Sequence, residues 1–318
     1  MTAYIMRRLV QAVIVFFLIT LLIFMVMRLL PGDPIYMIIS RAASQTATEM
    51  QLEKIRHEYG LDRNMMVQYF DWLGGVFRGD LGVSILTNTN VRQELFRRLP
   101  ITLHLAILAL IMSFVLGMPA GVICAVRRGK WIDTVVTTLA NIGITIPVFW
   151  LGVILMYFFA LKLRWLPVFG YTSPFTDFWT NTRQIIMPVF CLGITSVAVI
   201  ARQARSSMLE VMSQDYMRTA WSKGLKERSI IIKHGLKNGL IPVMVLMGLG
   251  LSGIVGGSVL IETVFNIPGM GRMAVEAMGN SDYPVIQGVI LVFAVMVLLT
   301  NLLVDLSYGW LDPRIQYK

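Results

Sequence analysis

The sequence predicts an all-α membrane protein with six transmembrane helices, and three observations support this fold class. Of the 318 residues, 56% are hydrophobic and only 14% are charged, whereas soluble domains carry about 25% charged residues. The mean hydropathy is +0.69. The apolar residues gather in blocks of about 20, the length that crosses a hydrocarbon core of about 30 Å. A soluble fold of this composition would lack the polar surface needed to cover its core.

The first apolar block, residues 9–30, is predicted to be a retained transmembrane helix. It follows Arg7 and Arg8, and Thr20 is the single polar residue between positions 12 and 27. A cleaved signal peptide would have an apolar core of about 7–15 residues and a small-x-small cleavage site. This block is longer and runs into Leu-Leu-Pro-Gly-Asp-Pro, so residues 1–31 are assigned to the first helix.

Residues 32–98 are polar and mixed, and they are predicted to form a folded extracytoplasmic insertion with short amphipathic helices. Thr48 and Gln51 have the spacing of a helix capping box, and Gly60 provides a stop signal. Residues 65–77 form a second amphipathic segment.

Five further apolar blocks are predicted to form the helical core, residues 99–306. Pro147 lies inside the third block of the chain and is expected to kink it, which a membrane helix tolerates when neighbours satisfy the freed carbonyl. A polar, basic loop at residues 206–239 separates the fourth and fifth blocks, and residues 307–318 form a short tail. The five blocks cover residues 101–126, 135–161, 185–204, 240–262 and 284–306.

The distribution of Lys and Arg predicts which side of the membrane each loop occupies. Short cytoplasmic loops carry an excess of these residues. With the long insertion left out, 15 Lys and Arg lie on the side of the termini and 4 on the other side. Both termini and the loop 206–239 are therefore predicted to be cytoplasmic. The same distribution explains the net charge of +10, so nucleic acid is not an expected partner.

The motifs in the chain predict neither a metal site nor a bound cofactor. Cys124 and Cys191 lie inside apolar blocks, without the spacing of a zinc site or a disulfide framework. The sequence has no P-loop, so ATP is not expected to bind in that way. Residues 248–253 spell G-x-G-x-x-G inside a membrane block. Close helix packing, together with Gly253 and Gly257, is the expected role of these glycines, and pore lining is the alternative.

Glu262 is an ionisable residue at the outer end of the fifth block. A charge in the membrane costs about 2.5–3.5 kcal/mol on insertion scales, so such residues suggest a function. Glu262 forms a candidate outer gate together with Pro268, Gly269 and Gly271 in the turn that follows. Snorkelling or helix capping near the interface is the alternative.

The loop 206–239 contains a candidate interaction helix that ends at Gly224. Tyr216, Thr219 and Ala220 recur at i, i+3 and i+4, so they share one helical face. Small residues on that face would let another protein approach closely. Contact of a basic loop with anionic lipid is the alternative.

This loop is similar to the cytoplasmic loop of permease subunits of ATP-binding-cassette importers, which docks into a groove on the ATPase. Arg218, Thr219 and Ala220 stand where that family has Glu-Ala-Ala, and Gly224 matches its glycine. The missing glutamate is typical of the oligopeptide/dipeptide permease B-type branch. The resemblance implies that Asp215, Tyr216, Arg218, Thr219, Ala220, Lys223 and Gly224 couple the chain to the ATPase. The other matching segments are residues 30–34, 98–103, 234–242, 262–271, 282–284 and 311–314.

The resemblance implies a transport subunit of a bacterial or archaeal inner membrane that catalyses no reaction itself. The implied partners are a homologous second permease, two cytoplasmic ATPases that bind ATP and magnesium, and an extracytoplasmic solute-binding protein. The implied solute is a di- or oligopeptide, with nickel chelates, glutathione or oligosaccharides as alternatives. An ion-coupled carrier is less expected because the block centres lack charged residues. A membrane enzyme or scaffold has no catalytic constellation to support it.

Overall fold

The computed structural model describes residues 2–29 and 62–311, which are almost entirely helical. Five helices are long and apolar enough to cross a membrane, so the predicted all-α membrane architecture is confirmed. Within the described ranges, the β structure consists of one isolated bridge between Val83 and Asn90. The helices are α1 (Thr2–Leu29), α2 (Met65–Arg78), α3 (Val91–Val126), α4 (Trp131–Thr145), α5 (Val148–Leu155), π1 (Met156–Lys162), α6 (Phe178–Met212), α7 (Asp215–Ser222), α8 (Glu227–Ser229), π2 (Ile230–Leu236), α9 (Lys237–Gly239), α10 (Ile241–Val264), α11 (Met270–Gly279) and α12 (Tyr283–Leu311).

The third apolar block is broken rather than merely kinked. α4 ends before Ile146 and Pro147, and the helix that follows is bent by 103° relative to α4. Pro147 has no N–H with which to continue the helical hydrogen bonds, so the chain changes direction there. If both halves belong to one crossing, this pair is the sixth span that the sequence predicts.

Several membrane helices are longer than the apolar blocks that predicted them. α1 begins at Thr2, and α12 extends to Leu311, into the predicted tail 307–318. α3 begins at Val91, where Asn90 Oδ1 accepts a hydrogen bond from Gln93 N at 3.3 Å, and it runs through Pro100. α6 continues to Met212, inside the predicted loop 206–239. Hydropathy detects the apolar part of a helix, so the polar turns at these ends were missed.

α2 lies against α1. Tyr69 Oη is 3.0 Å from Thr20 Oγ1, and the ring of Phe77 is 6.1 Å from that of Phe16. Because the apolar span of α1 covers Ile5–Leu29, these contacts set α2 beside the middle of that span. The sequence predicts the helix itself but not this neighbour.

The remaining predictions for the insertion fall on another part of the chain. The capping box at Thr48 and Gln51 and the stop signal at Gly60 lie outside the described residues.

α3 and α6 pack closely against each other in the core. Gly117 lets the two backbones approach, because a Cβ there would lie 2.7 Å from Val197 O. Leu105, Ala109 and Cys191 are fully buried in the same cluster. Cys191 and Cys124 are both buried free thiols.

Asp282, directly before α12, fixes the segment between α2 and α3. Its carboxylate accepts hydrogen bonds from Ser84 Oγ at 2.5 Å, Ile85 N at 3.1 Å and Leu86 N at 3.2 Å. We call the face that carries Asp282 and the α10–α11 turn the outer face, and the face that carries α7 the inner face.

Ion pairs join the helices toward the inner face. Arg205 of α6 donates from Nε and Nη2 to the two carboxylate oxygens of Asp133, at 2.7 and 2.9 Å. Arg8 of α1 lies 3.1 Å from Asp305 of α12. The bidentate pair between Arg205 and Asp133 fixes the orientation of the two side chains as well as their distance.

Candidate functional site

α7 is a short helix on the inner face, and a glycine ends it. Asp215 lies in its first turn, where a negative charge is favoured by the helix dipole. Gly224 follows the helix with φ +69°, and a Cβ there would meet no atom within 4 Å. Since this left-handed conformation favours glycine, the backbone rather than packing requires Gly224.

One face of α7 is buried by the chain itself. Met217 and Ala220 are buried and pack with Ile230 of π2. The sequence places Ala220 with Tyr216 and Thr219 on a face open to another protein, but Ala220 points inward because it continues the apolar stripe of Met217. The predicted coupling residues that remain exposed are Asp215, Tyr216, Arg218, Thr219, Lys223 and Gly224.

Specific contacts tie α7 to the segment that leads into α10. Asn238 Nδ2 donates a hydrogen bond to Tyr216 Oη at 2.9 Å. A Cβ on Gly239 would lie 2.7 Å from Met208 Sδ of α6, so the glycine permits close contact with that helix. The sequence assigns no role to Asn238, although this residue lies in a segment that matches the family. Met208 is an apolar residue that no sequence motif identifies.

Glu262 is fully buried at the outer end of α10. Its Oε1 accepts a hydrogen bond from Thr102 Oγ1 at 2.7 Å, and its Oε2 accepts one from Arg272 N at 3.0 Å. Thr102 Oγ1 in turn accepts one from Met270 N at 2.9 Å. The carboxylate therefore lies at the N-terminus of α11, where unpaired N–H groups and the helix dipole stabilise an anion.

The structure brings together three of the four predicted gate residues. A Cβ on Gly269 would overlap the Glu262 carboxylate, and one on Gly271 would lie 3.0 Å from its Oε2. Pro268 is exposed instead and lines an outer cavity. Glu262 therefore caps α11, which is the alternative role that the sequence left open. Its role in an outer gate stays a prediction. Thr102 lies 160 residues before Glu262, so no local pattern identifies it.

The glycines of α10 lie in two environments. Gly248 packs closely against α12, where a Cβ would overlap Val304. Gly250 and Gly253 have no atom within 4 Å of the Cβ position, and Gly257 has one neighbour, at 3.9 Å. The prediction of close packing is thus confirmed for Gly248, but for Gly253 and Gly257 it is wrong within the described chain.

The open glycines line a groove of about 270 Å³ between α6 and α10. Thr195 and Ser196 of α6 contribute hydroxyl groups to its wall, and Gly250, Gly253 and Gly257 contribute bare backbone. The rest of the lining is apolar and includes Leu110, Leu192 and Met247, so the groove offers space to a solute or to another helix. Pore lining, the alternative role for these glycines, fits this arrangement.

Two family models match the chain. The model for the binding-protein-dependent transport system inner membrane component matches residues 117–317. The model for the N-terminal part of such membrane components matches residues 1–106. Between them they cover both the insertion and the helical core.

Curated relatives are similar over the whole chain. A probable peptide ABC transporter permease of Sinorhizobium fredii is 44% identical over 317 residues and covers 100% of both chains. A putative peptide transport system permease of Brucella abortus is 41% identical over 320 residues, with the same coverage. The glutathione transport system permease GsiC of Escherichia coli is 38% identical over 318 residues and also covers both chains fully.

Solved transporter structures share the fold. The methionine ABC transporter MetNI, in an inward-facing conformation, aligns with a TM-score of 0.56 and 22% identity over 69% of this chain and 96% of that chain. An amino acid ABC transporter solved with histidines aligns with a TM-score of 0.51 and 17% identity, over 69% of this chain and 94% of that one. At these identities the likeness concerns the fold alone.

Proposed function

The chain belongs to the binding-protein-dependent transport system inner membrane component family, and from this premise we propose that it is the permease subunit of an ATP-driven importer of di- and oligopeptides. The observation that carries the proposal is the full-length similarity to proteins named as peptide permeases, at 44% and 41% identity. Glutathione, itself a tripeptide, is the second candidate solute because the Escherichia coli glutathione permease is 38% identical.

The groove between α6 and α10 is proposed to be this chain's share of the pore. A pore wall must leave space beside the backbone, and Gly250 and Gly253 do so. Thr195 and Ser196 supply hydroxyl groups that can exchange hydrogen bonds with a passing peptide. A homologous second permease would close the other side of the groove.

α7 is proposed to be the contact with a cytoplasmic ATPase, which itself binds ATP and magnesium. Its exposed residues, including Asp215 and Arg218, offer charge and hydrogen bonds to a partner. Its buried residues, including Met217, connect it to the core. Closure of the two ATPases would then shift α6 and α10 between two arrangements of the groove, as a two-state mechanism requires.

The termini are proposed to be cytoplasmic, as the distribution of Lys and Arg predicts. This orientation puts α7 on the side of the ATPases and the α10–α11 turn on the side of the solute-binding protein. At that turn, the contact of Glu262 with Thr102 would stabilise the outer end of the pore.

Reconstitution tests the proposed function. The chain is coexpressed with its proposed partners, a second permease, the ATPases and the binding protein, and the purified complex is placed in liposomes containing ATP. We expect uptake of radiolabelled tripeptides that stops when ATP or the binding protein is omitted. The panel also contains glutathione, a trisaccharide and a nickel chelate.

Two outcomes would contradict the proposal. Uptake that follows an ion gradient without ATP would identify a carrier. ATP-dependent uptake of the trisaccharide or the nickel chelate, with none of any peptide, would retain the importer architecture and reject the solute.

A further inference from the structure

A cavity of about 1000 Å³ opens on the outer face, apart from the groove between α6 and α10. It lies between the first turns of α3, the segment that joins π1 to α6, and the α10–α11 turn. Ligand pockets are commonly about 300–1,000 Å³, so this cavity has room for a short peptide. The residues that matter here are Arg97, Arg98, His104, Tyr171, Phe175 and Phe178.

The wall of this cavity is basic. Arg97 and Arg98 contribute to it, and no acidic side chain of the described residues does. Arg98 is paired with Glu94 at 3.3 Å and Glu276 at 3.8 Å. Arg97, whose contact with Glu94 is longer, at 3.9 Å, is therefore the lining cation that is available to an anionic group in the ligand.

Arg97 is the cation best placed to meet such a group. Its side chain is 81% exposed, and its ion pair with Glu94 is long, at 3.9 Å. The guanidinium carries five N–H donors in a planar fork that matches a carboxylate. Arg97 can thus bind a carboxylate of the ligand without breaking a short ion pair.

His104 and Tyr171 offer a hydrogen-bonding pair to the same cavity. His104 Nδ1 lies 3.0 Å from Tyr171 Oη, and the two rings meet edge-on at 6.0 Å. Burial raises the pKa of Tyr171, so its hydroxyl stays protonated at neutral pH. The pair can exchange hydrogen bonds with the polar backbone of a peptide.

The rim of the cavity is aromatic. Phe175 is 99% exposed and Phe178 is also exposed. Two exposed rings beside a cavity form an apolar surface that a ligand can cover, and aromatic side chains provide much of the contact area in binding sites. The rim therefore suits an apolar side chain next to the anionic group.

We propose that this cavity receives the peptide on the outer face before it reaches the pore, with Arg97 binding the C-terminal carboxylate and Phe175 and Phe178 contacting an apolar side chain. The inference rests on the proposed function, since it presumes a peptide solute. On this inference the permease itself prefers peptides with a free carboxyl terminus, in addition to the selection made by the binding protein.

Uptake of a peptide and its amide tests the inference. The probes are radiolabelled Ala-Phe-Ala and Ala-Phe-Ala-amide, delivered to the reconstituted complex by binding protein saturated with each. For Arg97→Ala, we expect the concentration of loaded binding protein that gives half-maximal uptake of the acid to rise about tenfold, the effect of one lost charge-assisted hydrogen bond. Uptake of the amide should change less than twofold.

Two variants serve as controls. Arg92→Ala removes the same charge from the same helix at a position that does not line the cavity, and it should transport both probes like the wild type. Arg97→Lys retains the charge without the planar fork and should lie between wild type and Arg97→Ala for the acid.

The contrary results are distinct. Equal losses of uptake for the acid and the amide in Arg97→Ala would mean that Arg97 contacts the binding protein. Unchanged uptake of both probes would mean that Arg97 contacts neither the peptide nor the binding protein. Each result overturns the inference and leaves the proposed function intact. A wild-type complex that imports neither peptide nor glutathione would overturn both together.

Discussion

At the scale of single residues, two glycines show different reasons why a side chain larger than hydrogen is excluded. Gly224 has a left-handed backbone with free space around it, so its side chain is limited by conformation alone. Gly269 has an ordinary extended backbone, φ −91° and ψ −174°, and is limited by the carboxylate beside it. The same residue type is therefore required for different reasons on the inner and outer faces.

Gly224→Val should impair transport without preventing membrane insertion. A β-branched residue at φ +69° costs about 1–2 kcal/mol or more, which would distort the end of α7. We expect peptide uptake to fall several-fold while the amount of protein in the membrane stays constant.

Two variants control for the strain itself. Gly224→Asn should retain transport, because Asn tolerates the left-handed region. Gly129→Val puts a β-branched residue at φ +75° in another open turn and should leave the coupling of ATP hydrolysis to uptake unchanged. Wild-type uptake by Gly224→Val would remove α7 from the coupling mechanism.

Gly269→Ala should destabilise the protein. The added methyl group would overlap the Glu262 carboxylate, and overpacking of a buried site costs about 1–3 kcal/mol. We expect a lower midpoint of thermal unfolding in detergent than for Gly279→Ala, which adds the same group at the other end of α11 with no atom within 4 Å. Equal midpoints for the two variants would show that the junction can relax around the methyl group.

The Glu262 junction also shows what the sequence can and cannot provide. An ionisable residue at the end of an apolar block is visible in the sequence, and so are the glycines that follow it. The partner Thr102 comes from a distant helix, and the Arg272 donor is a backbone group, so neither has a side-chain pattern to identify it. The position is therefore predictable, whereas its hydrogen bonds are not.

At the scale of the elements, apolar block length and helix length report different properties. The blocks measure how much of a helix suits hydrocarbon, which is why five spans were predicted close to where they lie. α3 and α6 continue beyond their blocks because polar residues can extend a helix into water without a change in its hydrogen bonds. The break at Pro147 redirects the chain, so that α5 contacts α10 as well as α6, whereas α4 contacts α6 and α3.

α2 should be accessible from lipid. Its contacts with Thr20 and Phe16 place it beside the apolar span of α1, and the ring of Phe77 is 67% exposed. A nitroxide attached at position 77 in a cysteine-free variant should be relaxed more strongly by oxygen than by a water-soluble nickel chelate. A nitroxide at Arg63, before α2, should show the reverse. Preference for the nickel chelate at position 77 would place α2 in water.

At the scale of the whole molecule, α10 connects the two functional faces. Its 24 residues extend over about 36 Å at 1.5 Å per residue. Asn238 and Tyr216 lie near its inner end, and Glu262 caps α11 at its outer end. A displacement of α7 can therefore reach the outer face through one helix, and the groove lies along the way.

Substitutions at two glycines of α10 should separate an effect on peptide uptake from an effect on thermal stability. Gly253→Leu adds a side chain to open space in the groove, so we expect peptide uptake to fall more than tenfold with an unchanged midpoint of thermal unfolding. Gly248→Leu adds the same side chain against Val304 and should lower that midpoint, at a cost of about 1–3 kcal/mol. Normal uptake by Gly253→Leu, in a complex that retains all its subunits, would exclude this face from the pore.

The hydrogen bonds of Asp282 have a consequence for biogenesis. Their donors, from Ser84 to Leu86, precede the carboxylate by 196–198 residues. At a translation rate of about 5–20 residues per second, a nascent chain spends roughly 10–40 s with these groups synthesised and their acceptor still missing. A truncated chain that ends before residue 282 therefore lacks the acceptor for these groups, and the segment between α2 and α3 is exposed to proteases that survey newly made membrane proteins.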